Sequence, residues 1–547
     1  MSKSTIKPTV YLIKEHVSDL KDIFKNPDKL QTQHIDTKDD TEINGALFYK
    51  DSAKRPPKWL PFIQAEFVVD TLRIFNSSSY AVIVIKTNDR FFAIPFGMGS
   101  HLIDTTKIEY NFGLKVAINC IPQNDLKQIN LTTPEASSQK TLKQAPKKST
   151  PNEMGINQHK DILRGLAGDL PNNHSLGKRV EGKDSVRPTK NVETLIELKA
   201  LCTDLLEYSK KEDYKEKFPW IDNMSITSDP MIIDSLFDEL LKSIKSENFD
   251  HMYFSTPEFV SNIFSYEGFV FKGNKKRNKI AYPFPEMPDF YSDFGKAFID
   301  IMDQEQLRKK CKVYLRNEDG DDRFGWPLSR CIAWETIMNG KKYILSDGEW
   351  YQVNQTFYDE ITSFFQSHVN SDINLPDASQ NYDREANYNF TACTNSDCYH
   401  LFDLGHPKAK HKTITSAGNE ICDIFDSNNK RFIHVKPGKS SSAISHLMRQ
   451  GAFSAQIIQT EPVERKKFQG YLNEDSINVS FLDNYNPQNF IVTFALILGK
   501  TQNEDIPFFS KVSFKDAATS ITSMGYKCEF GYINTITAPI SQLELVA

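Results

Sequence analysis

The chain has 547 residues, 39% of them hydrophobic and 25% charged, with a formal net charge of −5. At ~100–200 residues per domain, that length predicts about three or four domains of ordinary globular composition. A chain with a net negative charge is not a polycation, so any contact with nucleic acid has to come from local basic patches. The eight cysteines are scattered, a pattern of reduced thiols rather than of a disulfide scaffold. The first residues, MSKSTIKPTVYLIKEHVSDL, carry no continuous apolar leader. The most apolar run, FIVTFALILG at 490–499, falls far short of the ~20 residues that a membrane helix needs. These features predict a soluble, cytoplasmic protein with no membrane partner.

In chain order, PTVYLI (8–13) reads as a strand, and YAVIVIK (80–86) with RFFAIPFG (90–97) reads as a hairpin around TNDR. FGLKVAINCI (112–121) is β-branched and apolar and predicts a further strand, giving a β-rich N-terminal domain over 1–130. The composition then shifts to Ser, Thr, Gln, Lys and Pro, and 131–190 is expected to be a linker or long surface loop. From 191 the apolar spacing turns helical in VETLIELKALCTDLLEYSKK (192–211) and IIDSLFDELLKSI (232–244). Strands follow at FSYEGFVFKG (264–273) and KCKVYLRN (310–317), with a hairpin around Asp347-Gly348, for a mixed middle domain over 191–350.

The remainder, 351–547, is the most legible part. TFYDEITSFFQSHV (356–369) is an amphipathic helix, and DREANYNF (383–390) a short helical piece. CYHLFDLG (398–405), EICDIF (420–425) and RFIHVK (431–436) read as three strands. Helix (440–458), strand (489–498), helix (514–525) and strand (526–533) complete the order. The chain is therefore expected to be a multidomain α+β protein with a C-terminal αβββαβ core.

Within that core, EICDIFDSNNKRFIHVK (420–436) places polar groups on strands otherwise fit for a core. Side chains two apart on a strand share a face, so His434 and Lys436 do. If Asn428-Asn429 make a two-residue turn, Asp423 stands opposite His434, and Asp423, His434 and Lys436 gather on one surface. A one-residue slip would break this cluster. Phosphodiester hydrolysis wants this chemistry: carboxylates to hold a metal, and a cation near the attacked phosphate. Asp423 is a candidate ligand for Mg²⁺ or Mn²⁺, Glu385 a second carboxylate, and Lys436 the cation.

DIFDSNNKRFIHVK resembles the core of the PD-(D/E)xK nuclease superfamily. The resemblance puts Asp423 in the place of the strand aspartate, Lys436 in that of the lysine and Glu385 in that of the helical acid. His434 stands where that family has an acid, and Cys422 where proline is common. The histidine could still ligate Mn²⁺ or another borderline metal, or mark the loss of catalysis. Most of the chain also resembles a sporadically distributed bacterial family of unknown function, found in mobile elements and defence-like neighbourhoods. The stretches concerned are FFAIPFGMGSHLIDTTKIEYNFGLKVAIN (91–119), DILRGLAG (161–168), EICDIF with FIHVK, and IPFFSKVSF (506–514). This resemblance implies a role in anti-phage defence or mobile-element maintenance.

Other features carry both a functional and an inert reading. Lys272, Lys275, Lys276, Arg277 and Lys279 follow an aromatic strand and suit phosphate contact, or a solvated turn. Cys393, Cys398 and His400 have only loose zinc spacing. The inert reading of Asp423, His434 and Lys436 is the solvated face of an edge hairpin. The expected activity is metal-dependent cleavage of DNA or RNA; the alternatives are a degenerate nucleic-acid-binding module, or a sensor that engages a phage or partner protein.

Overall fold

The computed structural model describes residues 5–536, leaving aside 35–42, 51–53, 55, 58–59, 67–73, 135–138, 228, 259, 261–265, 275–279, 284, 380–383, 404–419, 439–440, 475–476, 478 and 499–505, and the side chains at 66 and 441–443. It is a mixed α/β protein that divides into two compact units, one of residues 1–132 and 140–222, the other of 133–139 and 223–547.

The first unit is built on strands β1 (Val10–Leu12), β2 (Gln31–His34), β3 (Gly45–Lys50), β4 (Tyr80–Thr87), β5 (Arg90–Gly97), β6 (Leu126–Thr133), β7 (Gln139–Ser149), β8 (Ile162–Asp169), β9 (Arg179–Gly182) and β10 (Ser185–Pro188). They form one sheet in the order β2-β3-β4-β5-β1-β10-β9-β8-β6-β7. Its helices are α1 (Leu60–Glu66), α2 (Phe112–Cys120), α3 (Leu195–Lys210) and α4 (Tyr214–Lys217). The expected hairpin forms with Thr87 opposite Arg90. Asn88 and Asp89 both take positive φ, 48° and 57°, as a two-residue turn matched to strand twist requires.

Two expectations fail here. FGLKVAINCI is the helix α2, buried along nearly its whole length. A short, continuous apolar run has no period that separates a buried strand from a buried helix. The stretch 131–190, expected as a linker, supplies β7 to β10. β7 lies at one end of the sheet, and its Lys- and Gln-rich sequence is that of a solvated edge strand, where charge discourages pairing with another chain.

The second unit contains β11 (Met224–Ile226), β12 (Met252–Phe254), β13 (Tyr266–Lys272), β14 (Lys312–Asn317), β15 (Asp322–Pro327), β16 (Ile332–Met338), β17 (Lys341–Ser346) and β18 (Glu349–Val353). They make a sheet β11-β18-β17-β16-β12 and a three-stranded sheet β13-β14-β15. Helices α5 (Pro230–Lys245), α6 (Met287–Phe294) and α7 (Lys296–Asp300) accompany them. α5 is the amphipathic segment read from 232–244; Asp229 caps it, accepting from the backbone N–H of Met231 at 2.9 Å.

The same unit continues with α8 (Gln355–Gln366), β19 (Ala378–Ser379), α9 (Glu385–Thr394), β20 (Tyr399–Leu401), β21 (Ile424–Asp426), β22 (Arg431–Pro437), α10 (Ser441–Thr460), α11 (Pro462–Glu474), α12 (Ser480–Asp483), β23 (Ile491–Ile497), α13 (Phe508–Ser523), β24 (Lys527–Ile533) and β25 (Thr535–Ile536). Of the residues expected as a middle domain, 191–222 belong to the first unit, and 223–350 share one compact unit with those expected as a C-terminal domain. Its last sheet runs β20-β21-β22-β23-β24. β20, β21 and β22 pair antiparallel, and β22, β23 and β24 pair parallel, so helices must carry the chain across. One face of this sheet packs Phe432, Phe494 and Phe530 in a core shared with α10 and α13, while Ile433, Val435 and Ala495 on the other face meet Tyr388 and Ala392 of α9. On the middle sheet, Glu335 of β16 is buried; it accepts from Lys342 Nζ at 2.8 Å and from the backbone N–H of Phe508, at the start of α13, at 2.9 Å.

Candidate functional site

The site gathers where α9 and β21 begin and where β20 and β22 end. Ile424 pairs with Ile433 and Asp426 with Arg431, the register that also sets Asp423 opposite His434. The connection is longer than the expected two residues. Asp426 holds it, accepting from the backbone N–H groups of Asn428 and Asn429, both at 3.0 Å.

Asp423 is fixed just before the start of β21. Its N–H donates to Ile433 O at 3.0 Å, and its Oδ2 accepts from Val435 N at 2.7 Å, so the carboxylate replaces a ladder carbonyl. On its other side, the N–H groups of Phe402 and Asp403 donate to Asp423 O at 2.9 and 3.1 Å. That double contact ends β20 and brings Asp403 beside Asp423. Glu385 enters from the first turn of α9. Its Oε1 lies 2.5 Å from Lys436 Nζ. One carboxylate oxygen each from Glu385, Asp403 and Asp423 lie within 4.8 Å of one another. Asn389, one helical turn after Glu385, donates from Nδ2 to Asp403 Oδ2 at 2.9 Å and is fully buried.

Three of the four sequence candidates are therefore clustered: Glu385, Asp423 and Lys436. His434, expected as a metal ligand, is not in the carboxylate group; among the described residues the third converging donor is Asp403. The His434 ring is fully buried beside Phe494, at 6.1 Å between centroids, and neither ring nitrogen has a hydrogen-bond partner among the described residues. A Cβ at Gly451 would lie 2.4 Å from Phe494 Cε1 and 3.1 Å from His434 Cδ2, so that glycine admits α10 close to the imidazole. Burial, with Lys436 nearby, pushes the imidazole pKa down to about 3, and it is neutral at ordinary pH.

Carboxylates outnumber cations. Burial first, then the charges of Glu385 and Glu420, holds the Asp423 carboxyl well above the usual range. Burial also raises Glu385, against the pull of its Lys436 partner. For Lys436, burial opposes the charge, but the Glu385 hydrogen bond and the surrounding acids outweigh it and its pKa rises. The two partners of the ion pair are thus both raised. One ammonium cannot neutralise four neighbouring acids, and the excess negative charge favours protons or another cation. Glu420 lies at the rim, accepting from Gln450 Nε2 of α10 at 3.4 Å. His446, one turn before Gln450, has its pKa lowered by burial and then by Lys436 and Arg449.

Of the other candidates, Lys272 lies 2.5 Å from Asp322 and over the Tyr314 ring. Lys275, Lys276, Arg277 and Lys279 lie outside the described residues. His400 Nε2 meets Ser427 Oγ at 3.1 Å, and Cys398 Sγ meets Ser396 Oγ at 3.2 Å. The donor set that does converge is all oxygen, which suits Mg²⁺ or Mn²⁺ better than zinc. No helix among the described residues is long and apolar enough to cross a membrane.

No curated protein and no solved structure matches the chain. A family model described as a family of unknown function, DUF6119, matches residues 8–534. The chain belongs to this DUF6119 family.

Proposed function

We propose that the second unit is a metal-dependent nuclease that hydrolyses phosphodiester bonds of DNA or RNA. The observation that carries this reading is the convergence of Glu385, Asp403 and Asp423 beside Lys436. The order α9, β20, β21, β22, α10, β23 supports it, because it is the αβββαβ plan of the PD-(D/E)xK superfamily.

Glu385, Asp403 and Asp423 would hold the Mg²⁺ or Mn²⁺ ion. When bound, the ion supplies an activated water and polarises the phosphoryl oxygen. The protein's own groups do the rest. Val435 N–H fixes the Asp423 carboxylate, and Asn389 fixes Asp403. Lys436 stands charged at the mouth of the cluster, where it can orient the attacking water or stabilise charge that develops on the phosphate. On this reading the protein is cytoplasmic and serves anti-phage defence or mobile-element maintenance, with the first unit engaging nucleic acid, a phage component or a partner protein.

The test incubates the purified protein with plasmid DNA, single-stranded DNA and total RNA, with Mg²⁺, with Mn²⁺ and with chelator. Cleavage should require the ion and fall by ~10²–10³ in Lys436→Ala and Asp423→Ala, the scale of losing a main electrostatic contributor. A second reading keeps the fold without cleavage, as a nucleic-acid-binding module. The buried, unpaired His434 in the place of an acid favours it. Salt-sensitive binding with no cleavage in any metal would select that reading.

A further inference from the structure

The first unit carries a groove of about 730 Å³ on the face of its sheet opposite α2. Strand alternation creates it. On β9 and β10, Val180 and Val186 are buried, while Arg179, Glu181 and Arg187 point the other way. Five neighbouring strands, β10-β9-β8-β6-β7, contribute to the lining. At ~4.8 Å per strand the groove is roughly 19 Å across, the length of several phosphates rather than of one.

Its chemistry is one-sided. The charged lining is Lys7, Lys127, Arg179 and Arg187 against Glu181 alone, in a chain whose net charge is −5. Lys127 and Arg179 share Asp169, at 3.5 and 2.7 Å. Glu181 stands opposite Arg187 in the ladder and lies 3.4 Å from Lys183. Lys7 and Arg187 are exposed, and neither has an ion pair among the described residues. The uncharged lining includes Ala145, Ala167 and Gly168 and no aromatic ring, so a chain can lie close to the sheet but bases find no stacking platform.

We propose that this groove binds the phosphodiester backbone of nucleic acid through Lys7, Lys127, Arg179 and Arg187, without base preference. The proposal deepens the nuclease reading, and rests on it only for the choice of polyanion.

The test measures the binding of labelled single-stranded and duplex oligonucleotides to the full-length protein, by fluorescence anisotropy in chelator, across a series of salt concentrations. Lys7→Glu combined with Arg187→Glu should weaken binding at least ~10-fold and lower the salt slope by about 2, one unit for each phosphate that is no longer neutralised. Lys296→Glu, an exposed residue of the other unit, should stay within about twofold of the wild type. Circular dichroism checks that the double variant is folded. Unchanged binding in the double variant, or no binding by the wild type, overturns the proposal. So does displacement of the oligonucleotide by inorganic phosphate at constant ionic strength, which marks a small-anion site. Cleavage is scored separately through Lys436→Ala: a groove that binds in a protein that never cleaves leaves the groove standing and removes the nuclease. Lys436-dependent cleavage with no effect of the groove variant does the reverse.

Discussion

The second unit buries acids in two ways. Glu335 has one lysine 2.8 Å away and a backbone N–H at 2.9 Å, and its carboxyl is held below the usual range: burial works against it, and Lys342, His251 and the Phe508 N–H together outweigh burial. Asp423 also accepts a backbone N–H, at 2.7 Å, yet its carboxyl is held well above that range. The difference is stoichiometry. Lys342 has Glu335 as its ion-pair partner, whereas Lys436 faces Glu385, Asp423 and Glu420 together. A balanced pair is complete and serves packing, here by joining the middle sheet to the start of α13. An unbalanced cluster favours protons or a further cation, which is why the proposed chemistry is placed at Asp423 and not at Glu335.

The contrast is broken first at the lysines. Lys436→Ala should cost ~10²–10³ in cleavage rate with little change in melting temperature, because the acids it leaves can take up a proton. Lys342→Met should do the opposite. It leaves Glu335 buried and uncompensated, costing ~3–5 kcal/mol in denaturant unfolding, while the turnover of the folded fraction is preserved.

His434 sharpens the comparison by pH. Its folded-state pKa of about 3 lies below its unfolded value of ~6.5, so the unfolded chain binds the proton more readily. Its contribution to stability is present above pH ~6.5 and is lost as the pH falls toward ~3, a swing on the order of 4 kcal/mol. His434→Leu should flatten unfolding free energy against pH across that window. It should also be neutral or stabilising near pH 7, since two unsatisfied nitrogens cost ~1–3 kcal/mol each. The smallest effect is expected at Asp423. Without metal, Asp423→Asn should change stability by less than ~1 kcal/mol, because it removes a charge that the site does not balance.

Much of this site was legible before the fold was known. Asp423 and Lys436 stood out as polar residues in short apolar strands, and the Asn-Asn turn set the right register even though the connection is longer. Asp403 was missed. It lies beyond the three-residue β20, after Leu401 and Phe402, and strand alternation carries no signal past the point where a strand ends. Its only trace is an acid closing the apolar run of CYHLFDLG, opposite Asp423. His434 stands apart from the carboxylate group because sharing a strand face with Lys436 does not mean sharing a neighbour. The imidazole lies one pair deeper, under Gly451 of α10, and the lysine reaches the sheet's end. In the first unit, the polar composition that suggested a linker over 131–190 belongs in part to an edge strand, whose solvated side needs no apolar residues. α2 reads as a strand in the sequence because helix and strand look alike when nearly every residue is buried.

Whether the carboxylate cluster holds a divalent ion is settled by titration calorimetry of Mn²⁺ into the full-length protein, with Asp403→Asn and Glu335→Gln run alongside. One site is expected in the wild type, retained in Glu335→Gln and lost in Asp403→Asn, with the bound ion raising the unfolding free energy by ~2.7 kcal/mol at a hundredfold excess over Kd. Absence of Mn²⁺ binding in the wild type, or binding that survives Asp403→Asn unchanged, would contradict this expectation.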